Sequence, residues 1–370
     1  MPLTDDIASL RQFRQGLEPH GIEIWSSSES LPEEVLQQFI RSDEDTTIPA
    51  DAHAEELHPQ QRIDELSADT PETQISHFID GSPRTVNVGF LLGANGVSYP
   101  VGLSHVGAVA VSFDNGRWQE TGFNNRHMIL ASVQQGMGIN LQVSGTFKLE
   151  DPTDKLSGNR QIDPTDMVEM RNAAIRRARR RMRICERELV RELSNSYPDN
   201  WTAADGTLFD IDAYNNNMRD IQVVGISKSF TLNPIVERNS TRERIGYLVG
   251  ILTNLPVGWR SPVYKLTPEI NRLDKYTYMW FIRLHNARQS PVSGIIKVEL
   301  PPSNVYLDST LRLKTVNALS HKLFRLRTPY LYDNRRGESF LYPIYVAETL
   351  IKSKLKSVDK LRGIWESSQY

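Results

Sequence analysis

The chain holds one cysteine, Cys185, so no disulfide can form within it. Such sparse cysteine use suits a reducing cytoplasm. It also lacks an excess of either charge: 43 Lys and Arg stand against 45 Asp and Glu, for a formal net charge of −2. That balance excludes a uniformly basic nucleic-acid coat, and any polyanion site must be a local patch. No apolar run approaches the length that spans a bilayer, so no membrane partner is expected. The opening residues Met1-Pro2-Leu3-Thr4-Asp5-Asp6 have neither the basic region nor the apolar run of a secretory leader. Several chemistries are missing as motifs. There is no Gly-x-x-x-x-Gly-Lys-Ser/Thr loop, so an ATP motor would have to be a separate chain. No His-Glu-x-x-His or paired-cysteine motif argues for a zinc enzyme, and no Gly-x-Ser-x-Gly elbow argues for a serine nucleophile. Cys185 lies in a helical pattern and reads as core.

What is present centres on Ser76-His77-Phe78-Ile79-Asp80-Gly81-Ser82. Apolar residues run into an acid, then a glycine and a small hydroxyl. This reads as a short buried strand ending in an exposed carboxylate, with Gly81 leaving room for a close approach. The pattern returns at Ala204-Asp205-Gly206-Thr207-Leu208. Asp-Gly alone is a common turn pair. Two copies separated by a long helix suggest two acids brought to one metal site.

The 370 residues divide into an acidic, partly helical extension over 1–75 and a larger domain over 76–370. In the extension, apolar spacing predicts helices over Ile7–Leu17 and Leu31–Ile40, the second capped by Ser30; residues 42–72 read as a solvated linker. After Asp80, alternating β-branched residues predict strands over residues 84–92, 105–113 and 143–149. Asp114-Asn115-Gly116 turns a hairpin between them. Residues 163–195 form a long helix, capped by Asp163 or Thr165. Met170, Ala174, Ala178, Met182, Cys185, Leu189 and Leu193 make its buried seam. Around that seam lies an arginine run that reads as a solvated face or as a phosphate-tracking stripe. Glu186, Glu188 and Glu192 all lie near the seam's edge, and helical geometry alone does not choose among them. Further strands follow at 201–209 and 220–230, the latter ending in Lys228. Residues 276–284 and 292–300 form a hairpin, 308–322 form a helix, 330–337 form a polar loop, and Tyr342-Pro343 opens a last helix that carries Glu348.

The order of these motifs resembles the NurA nuclease family. The residues that carry the resemblance are Phe78-Ile79-Asp80-Gly81-Ser82, Asp205-Gly206-Thr207-Leu208, Gly225-Ile226-Ser227-Lys228 and Tyr342-Pro343-Ile344 with Ala347-Glu348. Residues 280–283 and 296–299 resemble the family's later strand pair. The resemblance covers roughly 76–360. It implies an RNase H-like α/β fold, a mixed β-sheet flanked by helices. It further implies two divalent ions, Mn2+ or Mg2+, and action on DNA ends and single strands. The implied assembly is a homodimer seated on a hexameric HerA-type ATPase. On this basis Asp80 bridges the ions, Asp205 and Glu186 complete the pair, and Glu348 is a further ligand. Lys228 steadies the scissile phosphate, and Arg176, Arg180 and Arg183 hold the DNA backbone. Some relatives present a histidine where this chain has Glu348. The expected activity is metal-dependent DNA cleavage in end resection or antiviral defence. The alternatives are a non-catalytic DNA- or ATPase-binding scaffold of the same fold and a Piwi-like guided nuclease.

Overall fold

A computed structural model describes residues 3–26, 51–54, 61–63, 74–93, 96–153, 163, 166–208, 221–228, 230, 235–238, 243–266, 277–288, 290–301, 309–328 and 341–370. The expected helix at Leu31–Ile40 with its Ser30 cap, and the polar loop at 330–337, lie outside the described residues. The centre of the molecule is a mixed sheet. Its main strands are β1 (Ile75–Leu92), β2 (Ser98–Asp114), β3 (Arg117–Leu130), β4 (Trp201–Asp205), β5 (Val223–Ser227), β6 (Thr277–Arg283) and β7 (Ile295–Leu300). They lie in the order β3-β2-β1-β4-β5-β7-β6. β2 is antiparallel to both its neighbours, β1 and β3, while β4 and β5 run parallel to β1 and to each other. The 3-2-1-4-5 order, with a helical crossover before β4, is the RNase H-like arrangement that the resemblance implied.

The antiparallel half is built by local chemistry. Asn115 and Gly116 take φ values of 51° and 77°, as a tight hairpin turn between β2 and β3 requires. β1 differs from expectation. It does not end at Asp80 but continues paired with β2 to Leu92, with one register shift between Asn87 and Gly89. Pro83 sits within it, opposite Val106. From Asp80 to Val88 β1 has a ladder partner on one side only among the described residues, an edge-like stretch where proline is tolerated; beyond it Gly89–Leu92 also pair with Glu23–Ser26. β2 is buried on both faces up to Val111, whereas Phe113, which alternation puts on one face with Val109 and Val111, is exposed.

Helices cover both faces. On one face, Phe78, Val109, Ala203, Val224, Ile226 and Val298 pack against α3 (Ser309–Arg325) and α4 (Tyr342–Lys354). On the other, Ile79, Ala108, Ala110 and Ala204 pack against Cys185, Leu189 and Leu193 of α2 (Met167–Ser196). The small residues on β2 let this long helix lie close to the sheet. Its cap is Asp166, which accepts from the N–H groups of Val168 and Glu169, not the expected Asp163 or Thr165. The outer half of β1 and β2 packs against α1 (Leu3–Leu17) and α5 (Val358–Ser367), with Phe13 and Trp365 in one cluster. Residues 51–54, expected in a linker, instead form a strand within the sheet, and Ile63 is fully buried. No helix among the described residues is long and apolar enough to cross a membrane.

Candidate active site

Strand alternation decides where the acids go. Phe78, Ala203 and Ile226 face α3 and α4, so Asp80, Asp205 and Lys228, each two residues further along its chain, face the same way. Ile79 is paired with Ala204 and Asp205 with Ile226. Asp80 and Asp205 therefore stand side by side on adjacent parallel strands, about 4.8 Å apart at the backbone. Glu348 comes down onto the same spot from α4. Lys228 bridges the cluster: its Nζ lies 3.3 Å from Asp205 Oδ2 and 3.5 Å from Glu348 Oε2. Lys352, one turn beyond Glu348, holds its other oxygen at 2.7 Å.

Glu186 arrives from the opposite helix. Its carboxylate lies over Gly81 and accepts that residue's backbone N–H. A β-carbon on Gly81 would collide with it and lie 2.8 Å from Met182 Cγ. The close approach anticipated at this glycine is thus made by the protein's own acid. The other helix acids are elsewhere: Glu188 accepts from Asn124 and Arg126, both at 2.6 Å, and Glu192 is exposed. Of the three, the fold brings Glu186 to the site.

Electrostatics reflect this crowding. Asp80 is 5% exposed, and the exposed acid read from the sequence is in fact buried. Burial, then repulsion from Asp205, Glu186 and Glu348, pushes its carboxyl well above the ordinary range, with Lys228 opposing. Burial pushes Glu186 up to about 8, with Asp205 adding and Arg183 and Arg187 resisting. For Glu348 burial is outweighed by Lys228 and Lys352, which hold it below its usual value. Burial likewise disfavours the Lys228 ammonium, yet Asp205, Asp80 and Glu348 raise its pKa. Among the described residues no three His, Cys, Asp or Glu side chains form a ready cage for an ion; Lys228 reaches into the cluster instead.

The arginine run serves more than one purpose. Arg177 is buried and, with Arg181, grips Glu150 at 2.7–2.8 Å. Arg183 lies close enough to Glu186 to pull its pKa down. Arg180 and Arg176, half-buried, sit one and two turns back along α2. A polar cleft walled by Lys148, Glu150, Arg177 and Arg181 has none of the four acids in its lining. Sequence reasoning missed Lys352 and the buried Lys297–Glu299 pair behind Asp205. An i, i+4 spacing from Glu348 was available for the first. For the second, the only signal was charge inside the otherwise apolar run Ile295-Ile296-Lys297-Val298-Glu299-Leu300.

No protein-family model and no curated protein matches the chain. Among solved structures it is similar to the NurA nuclease from Sulfolobus solfataricus, at 11% sequence identity and a TM-score of 0.42, over 91% of this chain and 92% of that one.

Proposed function

We propose that the chain is a divalent-metal-dependent deoxyribonuclease. The observation that carries this reading is the pairing of Asp80 and Asp205 on neighbouring strands, with Glu186 and Glu348 converging from helices on opposite sides. Four carboxylates offer the oxygen donors that hard cations take. Burial and mutual repulsion push the Asp80 and Glu186 carboxyls up, and a cation would relieve that repulsion. Asp80, Asp205, Glu186 and Glu348 would hold Mn2+ or Mg2+. Such a pair, when bound, supplies the positive charge that lowers the barrier to phosphodiester hydrolysis. Lys228, now between Asp205 and Glu348, has the charge and reach to meet a phosphate oxygen. Arg183, then Arg180 and Arg176 further along α2, would hold the DNA backbone through paired N–H donors.

The wider reading follows the NurA resemblance: a homodimer that works with a hexameric HerA-type ATPase, in end resection or antiviral defence, in the cytoplasm. A second reading, a non-catalytic DNA- or ATPase-binding scaffold, draws on one observation. Lysines already occupy both oxygens of Glu348. Cleavage of an end-labelled DNA in Mn2+ separates the two. The nuclease reading expects wild type to cut, EDTA to stop it, and Asp80→Asn to fall to background while its thermal midpoint stays at or above wild type. Cutting by Asp80→Asn at the wild-type rate would refute it.

A further inference from the structure

Behind Asp205 lies a charged pair with no role so far. Lys297 and Glu299 sit in the middle of β7, 4% and 0% exposed, with Nζ 2.6 Å from Oε1. Their strand neighbours Ile296 and Val298 belong to the core beneath α3 and α4, so the pair points to the sheet's other face, away from the acids. A buried ion pair is a poor source of stability. Desolvating both charges offsets most of their attraction, and apolar side chains of similar volume often serve as well. Its contacts indicate another purpose.

The chain leaving β4 crosses to that face directly after Asp205. Gly206 takes φ +100°, and its N–H donates to Ile226 O at 2.7 Å. The next two residues both end on Glu299. The Thr207 hydroxyl lies 2.8–2.9 Å from the two carboxylate oxygens, and the Leu208 N–H donates to Oε2 at 2.7 Å. Leu208 fits there because Gly225, paired with Glu299 across the ladder, has no β-carbon; one would lie 2.6 Å from Leu208 Cγ. The carboxylate is fully satisfied, by one ammonium, one hydroxyl and one amide.

We infer that Glu299 is the positioning residue for Asp205: it clamps the Gly206-Thr207-Leu208 turn and so fixes the direction in which the Asp205 carboxylate leaves β4. This rests on the reading of Asp205 as part of the metal site. Lys297 holds the Glu299 carboxylate in place from 2.6 Å. The same turn without the clamp would leave Asp205 at a fraying strand end.

The test replaces the pair together, Lys297→Met with Glu299→Leu, so that no charge is stranded. The folded double variant should keep a thermal midpoint within a few degrees of wild type. Amide exchange at Thr207 and Leu208 should quicken at least tenfold. Mn2+ affinity, measured by calorimetry on metal-stripped protein, should fall by about 10- to 100-fold, and DNA cleavage should fall with it. Lys297→Arg, which preserves the pair, should restore slow exchange and Mn2+ affinity. A purely structural pair would lower the midpoint and leave affinity and exchange in the folded protein unchanged, and that result overturns the inference. Should wild type itself neither bind Mn2+ nor cut DNA, the nuclease reading fails. Exchange at Leu208 still decides whether Glu299 clamps the turn. If the double variant does not fold, Thr207→Val, which removes one clamp contact, gives the same readouts at smaller amplitude.

Discussion

At Gly81 the missing side chain sets the geometry of the candidate site. A methyl group there must push Glu186 off β1 and press on Met182. Gly81→Ala is therefore expected to destabilise the fold by about 1–3 kcal/mol and to weaken Mn2+ binding, as urea unfolding and calorimetry would register. Glu186 itself makes a pH prediction. Burial pushes its carboxyl up to about 8 in the folded chain, from 4.5 when unfolding exposes it. Between those values the unfolded chain has already lost the proton that the folded chain keeps, so this group's contribution to stability declines as pH rises from 4.5 through 8. Glu186→Gln lacks that decline. In EDTA, its thermal midpoint should gain on wild type steadily from about pH 5 to about pH 8; a constant difference would contradict the shift. Asp80 and Asp205 were legible in the sequence because Asp-Gly-hydroxyl after an apolar run is a local pattern. Glu186 was not separable from Glu188 and Glu192. The choice is made by Gly81, Asn124 and Arg126 on distant strands, which helical periodicity does not see.

Among the elements, α2 was the easiest to read and the easiest to misread. Of its seam, Met170, Ala178, Cys185, Leu189 and Leu193 are buried as the spacing dictates, while Ala174 and Met182 are half-buried. Its start was off because Asp163, Thr165 and Asp166 all suit a cap, and only the tertiary path selects Asp166. Asp166→Ala leaves two N–H groups of the first turn without an acceptor. It should cost about 1 kcal/mol, measurable as a lower midpoint with cleavage unchanged. The arginine run looked like one surface in sequence. In the fold Arg177 and Arg181 are committed to Glu150, which precedes them by 27 and 31 residues, a pairing no local pattern announces. β1 shows the converse. The Asp-Gly-Ser run reads as a strand end, yet the strand continues through Gly81 and Pro83 where its ladder is one-sided.

Across the whole molecule, an antiparallel half of a mixed sheet was foreseeable from strands joined by turns and the rest of the fold only from the family resemblance, while the seating of the first helix was not. α1 is tied to the sheet and to the turn before α5 through a buried polar cluster. His105 and His127 stack at 3.8 Å, Lys356 Nζ lies 2.6 Å from His127 Nε2 and 3.2 Å from Asp6 Oδ2, and the Lys356 N–H donates to His105. Burial, the neighbouring imidazole and Lys356 push His105 down to about 3; burial and Lys356 push His127 down to about 4. Both rings are therefore neutral when folded. The stability they lend is complete above 6.5, the value of an exposed histidine, and drains away as pH falls through the folded values. Thermal unfolding from pH 6.5 down to about 4 should fall more steeply for wild type than for His127→Asn. The central claim is that Asp80 and Asp205, remote in sequence, serve one cation site. Anomalous scattering from crystals grown in Mn2+ tests it most directly. Manganese density is expected between these two carboxylates, within ligand reach of Glu186 or Glu348 and lost in Asp80→Asn; manganese bound only at other acids, or none there at saturating concentration, would refute a shared site.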